Sequence, residues 1–151
     1  MTAENAVFYR RMLAVGLSGA YLRDVERALD EAEPLTDLLL ELAFCLSDTD
    51  KTISVLDHYL ENREPNEEIV YTMLLAELRS LYTSKSISLQ RAAEALIAIL
   101  KCDQLYWEEP WKELSELVYS CEEVEDGFWT MDDFLQDVHN ILCSKGEGGL
   151  S

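Results

Sequence analysis

Two histidines, His58 and His139, and four cysteines, Cys45, Cys102, Cys121 and Cys143, are the side chains best suited to hold a transition metal or to act as nucleophile and base. Thirty Asp and Glu add a large supply of hard oxygen ligands. Spacing decides what they can do. A di-iron helical bundle needs a Glu three residues before each ligand histidine. Val55 and Gln136 stand there instead. A calcium loop opening at Asp48 needs Gly at its sixth place and Glu at its twelfth, and Ile53 and Tyr59 occupy them. A loop aligned on Gly127 puts Val124 at a ligand position and fails too. Each histidine is therefore expected at the surface or at a helix end, with no metal.

Nucleophilic chemistry fares no better. His139 and Cys143 lie one helical turn apart, but i,i+4 neighbours are frequent and no strained or Gly-rich turn presents the thiol. No two cysteines stand in a C-x-x-C spacing, and each falls within an apolar helical pattern, so free buried thiols in a reducing compartment are expected rather than a disulfide framework. The dipeptides Glu108–Glu109 and Asp132–Asp133 send their carboxylates to different helix faces, which weakens an acid/base pairing within either. Neither a dinucleotide-binding nor a P-loop glycine pattern occurs. The residues thus predict a protein that is not an enzyme and carries no cofactor.

Charge speaks more clearly. The formal net charge is −18 over 151 residues. Residues 31–68 hold eleven acids and two bases, and residues 107–139 hold eleven acids and one base, Lys112. Between these blocks, residues 69–106 are nearly balanced. So negative a surface disfavours nucleic acid and anionic membrane, which need Lys/Arg neutralisation, and favours cationic partners. Arg10, Arg11, Arg23 and Arg27 form the densest basic cluster, but Asp24, Glu26 and Asp30 interleave with it as an ordinary mixed-charge surface.

All three tryptophans fall within the second acidic block, in two junctions. Tyr106-Trp107-Glu108-Glu109-Pro110-Trp111 forms one, Gly127-Phe128-Trp129 the other, and Glu122, Glu123, Glu125 and Asp126 lie between. Aromatic anchors ringed by charge are the composition of an interface hot spot, and the carboxylates would steer a cationic partner. Trp111 opens an apolar stripe with Leu114 and Leu117 and is expected in the core. Trp107 and Trp129 suit a core cap and an interface equally. The candidate partner-binding residues are Tyr106, Trp107, Glu108, Glu109, Glu122, Glu123, Glu125, Asp126 and Trp129.

The elements that must position them are helices. Periodicity and punctuation mark eight: Thr2 to Val15, stopped by Gly16; one capped by Ser18 and ending before Pro34; about Leu35 to Leu46; one capped by Asp48 or Asp50; one with Pro65 in its first turn and Glu67 and Glu68 at its positive end; one capped by Ser86 or Ser88; one beginning at Pro110; and one opened by the capping box Thr130–Asp133. The sixth, with Ala92, Ala93, Ala95, Leu96, Ile97, Ile99 and Leu100, is apolar nearly all round and should be central. No strand pattern survives. The fold expected is all-α, a compact array of about eight short antiparallel helices, as one domain over 1–144 with a flexible Gly-rich tail over 145–151. A short helix-hairpin solenoid is the alternative, but hairpins starting near Leu35, Asn66 and Pro110 show no common repeat.

The N-terminal segment has no apolar signal core and no apolar run approaches a membrane span, so a cytoplasmic protein of bacterial type is expected. In charge and size the chain is similar to small acidic helical immunity proteins, a likeness of class that no motif carries. The function expected is an acidic protein-binding module: an inhibitor, such as an immunity protein or antitoxin, that neutralises a basic toxin such as a nuclease. The alternative is a helical scaffold or adaptor that binds a peptide or helix in an apolar groove. Nothing in the residues fixes an oligomeric state.

Overall fold

The computed structural model describes residues 1–31, 36–127 and 129–145. Among them the regular structure is entirely helical, in eight α-helices and two 3-10 helices. The Pro34 stop, the start of the third helix at Leu35, Phe128 and the tail from Gly146 lie outside the described residues. The chain packs as two compact units, Met1–Asn66 and Glu67–Ser151. No helix among the described residues is long and apolar enough to cross a membrane.

The first unit holds α1 (Ala3–Ala14), α2 (Gly19–Glu31), α3 (Asp37–Phe44) and α4 (Thr49–Leu60). Side-chain caps set three of its helix starts: Thr2, Thr36 and Asp48 accept from the backbone N–H of Asn5, Leu39 and Lys51. Gly16 ends α1 as predicted. At φ 81° it closes a Schellman motif, with Leu17 N–H donating to Met12 C=O (2.9 Å) and Gly16 N–H to Leu13 C=O (3.0 Å). Helix α1 packs along α4 and buries six residues, from Ala6 to Leu13. Tyr9 meets Tyr21 edge-on at 5.6 Å and donates its hydroxyl to Asp24 (2.7 Å). Arg10 pairs with Asp57 and Arg23 with Asp24, the mixed-charge surface expected of these arginines. Leu-rich α3 buries only Leu42 fully, and Phe44 is 90% exposed.

The second unit holds α5 (Glu67–Thr83), α6 (Leu89–Lys101), α7 (Ser115–Glu125) and α8 (Met131–Lys145), with 3-10 helices at Cys102–Trp107 and Trp111–Leu114. Helix α6 touches α5, α7, α8 and the first 3-10 helix, and buries the seven apolar residues predicted to make it central. Ser88 rather than Ser86 caps it, accepting from Arg91 N–H (3.0 Å). Around it, α5 contributes Val70, Tyr71, Leu74, Leu75 and Leu78, and α8 contributes Phe134, Val138 and Leu142 at helical spacing. Thr130 caps α8 by accepting from Asp133 N–H (3.2 Å).

Three expectations need correction. Pro65 precedes α5 by two residues instead of standing in its first turn, although Glu67 and Glu68 do occupy the positive end. The seventh helix does not run on from Pro110: Trp111–Leu114 forms a tighter 3-10 turn and the α-helix proper begins at Ser115. Of the four free thiols only Cys45 is buried. Cys102, Cys121 and Cys143 are half-buried, since the first follows the end of α6 and the other two face partly outward from α7 and α8.

Candidate functional site

The two junctions of the second unit treat their tryptophans differently. Trp111 is fully buried. Its indole N–H donates to Glu67 (3.1 Å), its ring meets Tyr71 edge-on at 5.1 Å, and the Tyr71 hydroxyl donates to Glu113. Trp111 thus anchors the second 3-10 turn to α5. Trp107, at the end of the first 3-10 helix, is 61% exposed. Trp129 is half-buried.

From Trp107 an aromatic line crosses to α7. Tyr106 meets Trp107 edge-on at 5.7 Å and Tyr119 edge-on at 6.5 Å. Tyr119 is itself 52% exposed and forms one lip of a groove of about 470 Å³ between α7 and α8. Glu113, Glu116, Glu123 and Asp137 bring four carboxylates to the lining, which Trp129 shares, and no basic side chain is among the lining residues. Carboxylates beside aromatic faces are complementary to an ammonium or guanidinium group.

Helical periodicity divides the nine predicted residues. Residues 116, 119, 120 and 123 follow one face of α7, which places Glu123 in the groove with Trp129. Glu125 shares a different face with Cys121 and Val124 and lines a second groove against α6 and α8. Glu108, Glu109, Glu122 and Asp126 are exposed and line neither. The predicted set therefore falls on more than one face. Tyr119, Glu116 and Asp137 belong to the first groove and were not among the predicted residues. The spacing Glu116–Tyr119–Glu123, at i, i+3 and i+7, carried the signal.

The histidines and thiols settle into local roles. His58 lies exposed in the last turn of α4 with Nδ1 3.4 Å from Glu61, the helix-end position expected. His139 departs from expectation: it is half-buried in mid-α8, where Nδ1 bonds the Tyr82 hydroxyl (2.9 Å) and the ring stands edge-on to Tyr82. The Cys143 thiol lies 3.8 Å from both ring nitrogens, so it is aimed along the lone pair of neither. Burial and the Glu125 carboxylate push the Cys121 thiol up, away from a reactive thiolate. Among the described residues no group of three or more His, Cys, Asp and Glu side chains stands ready to hold a metal ion. No protein-family model, no curated protein and no solved structure matches this chain.

Proposed function

We propose that the second unit is a binding module for a basic protein partner. The observation that carries this reading is Trp107, 61% exposed and joined through Tyr106 to Tyr119 at the lip of a groove lined by four carboxylates. An indole held in water costs hydrophobic free energy, about 25 cal/mol per Å² of apolar surface, which a partner covering it would recover. The carboxylates would set approach and register by steering, and a partner's Arg or Lys would seat between Tyr119 and Trp129.

The sharpest form is an inhibitor of the immunity-protein or antitoxin kind, acting in the cytoplasm on a cationic toxin such as a nuclease. Carboxylates would then cover the ground that substrate phosphates use on the toxin. The test is stopped-flow association with a basic nuclease at several salt concentrations. The association rate should fall steeply as salt rises, and Trp107→Ala should weaken affinity at least tenfold. An affinity indifferent to both would refute the reading.

A further inference from the structure

The second groove of the unit, formed by α6, α7 and α8, differs in chemistry from the first. It encloses about 360 Å³ over a floor that includes Ile97 and Phe134, with Met131 standing 46% exposed at its edge. The volume suits one or two anchoring apolar side chains. Ala93 and Ala98 keep the α6 wall low. Carboxylates mark two sides: Glu94 on α6, which accepts from Gln90 (3.4 Å), and Glu125 on α7. The charge of Lys101, at the end of α6, acts on Cys121 beside the groove.

We propose that this groove docks a basic amphipathic helix of a partner, with its apolar stripe on Ile97, Phe134 and Met131 and flanking Lys or Arg side chains on Glu94 and Glu125. The occupant follows from elimination and charge. Strand addition requires a sheet edge, and the described residues contain no strand. Capture of a phosphorylated or acidic motif requires an arginine cluster, and this rim is anionic. An apolar trough between helices is the form that receives a helix, and the carboxylates select the cationic kind. The inference goes beyond the reading above, since it concerns the other face of α7 and holds even if Trp107 contacts nothing.

The test uses the full chain and a labelled synthetic helix of about 18 residues, with Leu at i, i+3, i+4 and i+7 and Lys on both flanks. Two comparison peptides are a Glu-flanked twin and a scrambled peptide of the same composition. Anisotropy titration should show saturable binding of the Lys-flanked helix, at least tenfold tighter than either comparison. Ala98→Gln fills the mouth of the groove at an exposed position without changing charge, and should weaken binding at least tenfold with the helical circular dichroism unchanged. Glu94→Gln with Glu125→Gln should remove the preference for Lys over Glu flanks. Trp107→Ala should leave this binding unaltered, which separates failure here from failure of the first site. Site-resolved alkylation adds an independent readout, because bound helix should slow labelling of Cys121 but not of Cys143. Equal binding of the scrambled peptide, indifference to Ala98→Gln, or equal protection of both thiols would overturn the proposal. So would a concentration-dependent dimer dissolved by Ala98→Gln, which would give the groove to a second copy, or a free aliphatic alcohol that displaces the helix at lower concentration than the helix itself requires.

Discussion

The indole N–H of Trp111 lies 3.1 Å from the carboxylate of Glu67, so a residue from the 3-10 turn before α7 is tied to the first turn of α5. Burial and hydrogen bonding act together there: the ring contributes apolar area, and its one polar atom has a partner. Trp111→Ala should cost about 3–5 kcal/mol, the range for emptying a buried large aromatic site. Trp111→Phe keeps most of the packing and loses the donor, and should cost less than half as much. Urea unfolding of the two variants measures the difference. Equal losses would mean that the bond and not the packing holds this turn.

Trp107 should behave in the opposite way. It is 61% exposed and meets Tyr106 edge-on, a contact that a phenyl ring can keep, so Trp107→Phe should shift stability by no more than about 0.5 kcal/mol. Its surroundings are readable by ionic quenching. Glu108 and Glu109 follow it directly and are both exposed. Caesium should quench the fluorescence that distinguishes wild type from Trp107→Phe, and iodide should quench it weakly at low salt. Equal quenching by both ions would show that the carboxylates do not dominate the local potential.

Two helix ends make a matched pair with effects of opposite sign. Gly16 (φ 81°) closes α1, and Lys85 (φ 64°) holds the same left-handed position after α5, where Ser86 N–H donates to Leu81 C=O (2.9 Å) and Lys85 N–H to Tyr82 C=O (3.1 Å). Gly16→Ala should destabilise by about 1 kcal/mol and Lys85→Gly should stabilise by a few tenths to 1 kcal/mol. Thermal unfolding of the two variants and their double checks both the signs and their additivity.

Alkaline pH should expose the buried tyrosines. Tyr9, Tyr21 and Tyr71 are all pushed above the ordinary 10.0 of a phenol, Tyr21 up to about 12, and burial is the main cause in each. Carboxylates of Asp24 and Glu113 raise Tyr9 and Tyr71 further. A folded-state pKa raised above its unfolded value leaves the contribution intact below the unfolded pKa and removes it above. Stability should therefore be insensitive to these groups up to about pH 10, then fall by about 1.4 kcal/mol per unit for each tyrosine until its folded pKa is reached. Urea midpoints between pH 8 and 11 give the profile. A midpoint unchanged through pH 11 would contradict the burial of all three hydroxyls.

The helices were legible because their signals are local. The caps Asp48, Ser88 and Thr130, the Gly16 stop and the seven buried apolar residues of α6 each depend on a few neighbouring residues, and each stands where the sequence places it. What failed was set by neighbours distant in sequence. Leucine-rich α3 leaves Leu40 and Phe44 facing out, because burial depends on what packs against a face and not on the composition of the helix alone. The half-burial of His139 follows from Tyr82, fifty-seven residues earlier, which no helical pattern within α8 announces. The candidate site was legible as composition but not as geometry. Acids and tryptophans cluster in the sequence, whereas the turn of α7 deals Glu123 and Glu125 to different grooves and recruits Tyr119 to the first.

Helix α7 thus carries two kinds of lining on one short rod. Side chains at 119 and 123 shape a polar trough, and those at 121 and 125 shape a greasy one, with no residue common to both. Either surface can drift in composition while the other keeps its form, so a change of ligand on one flank need not disturb the opposite flank. The limit on that freedom is length. Inserting one residue after Ser120 would rotate everything beyond it by about 100° and scramble both linings together.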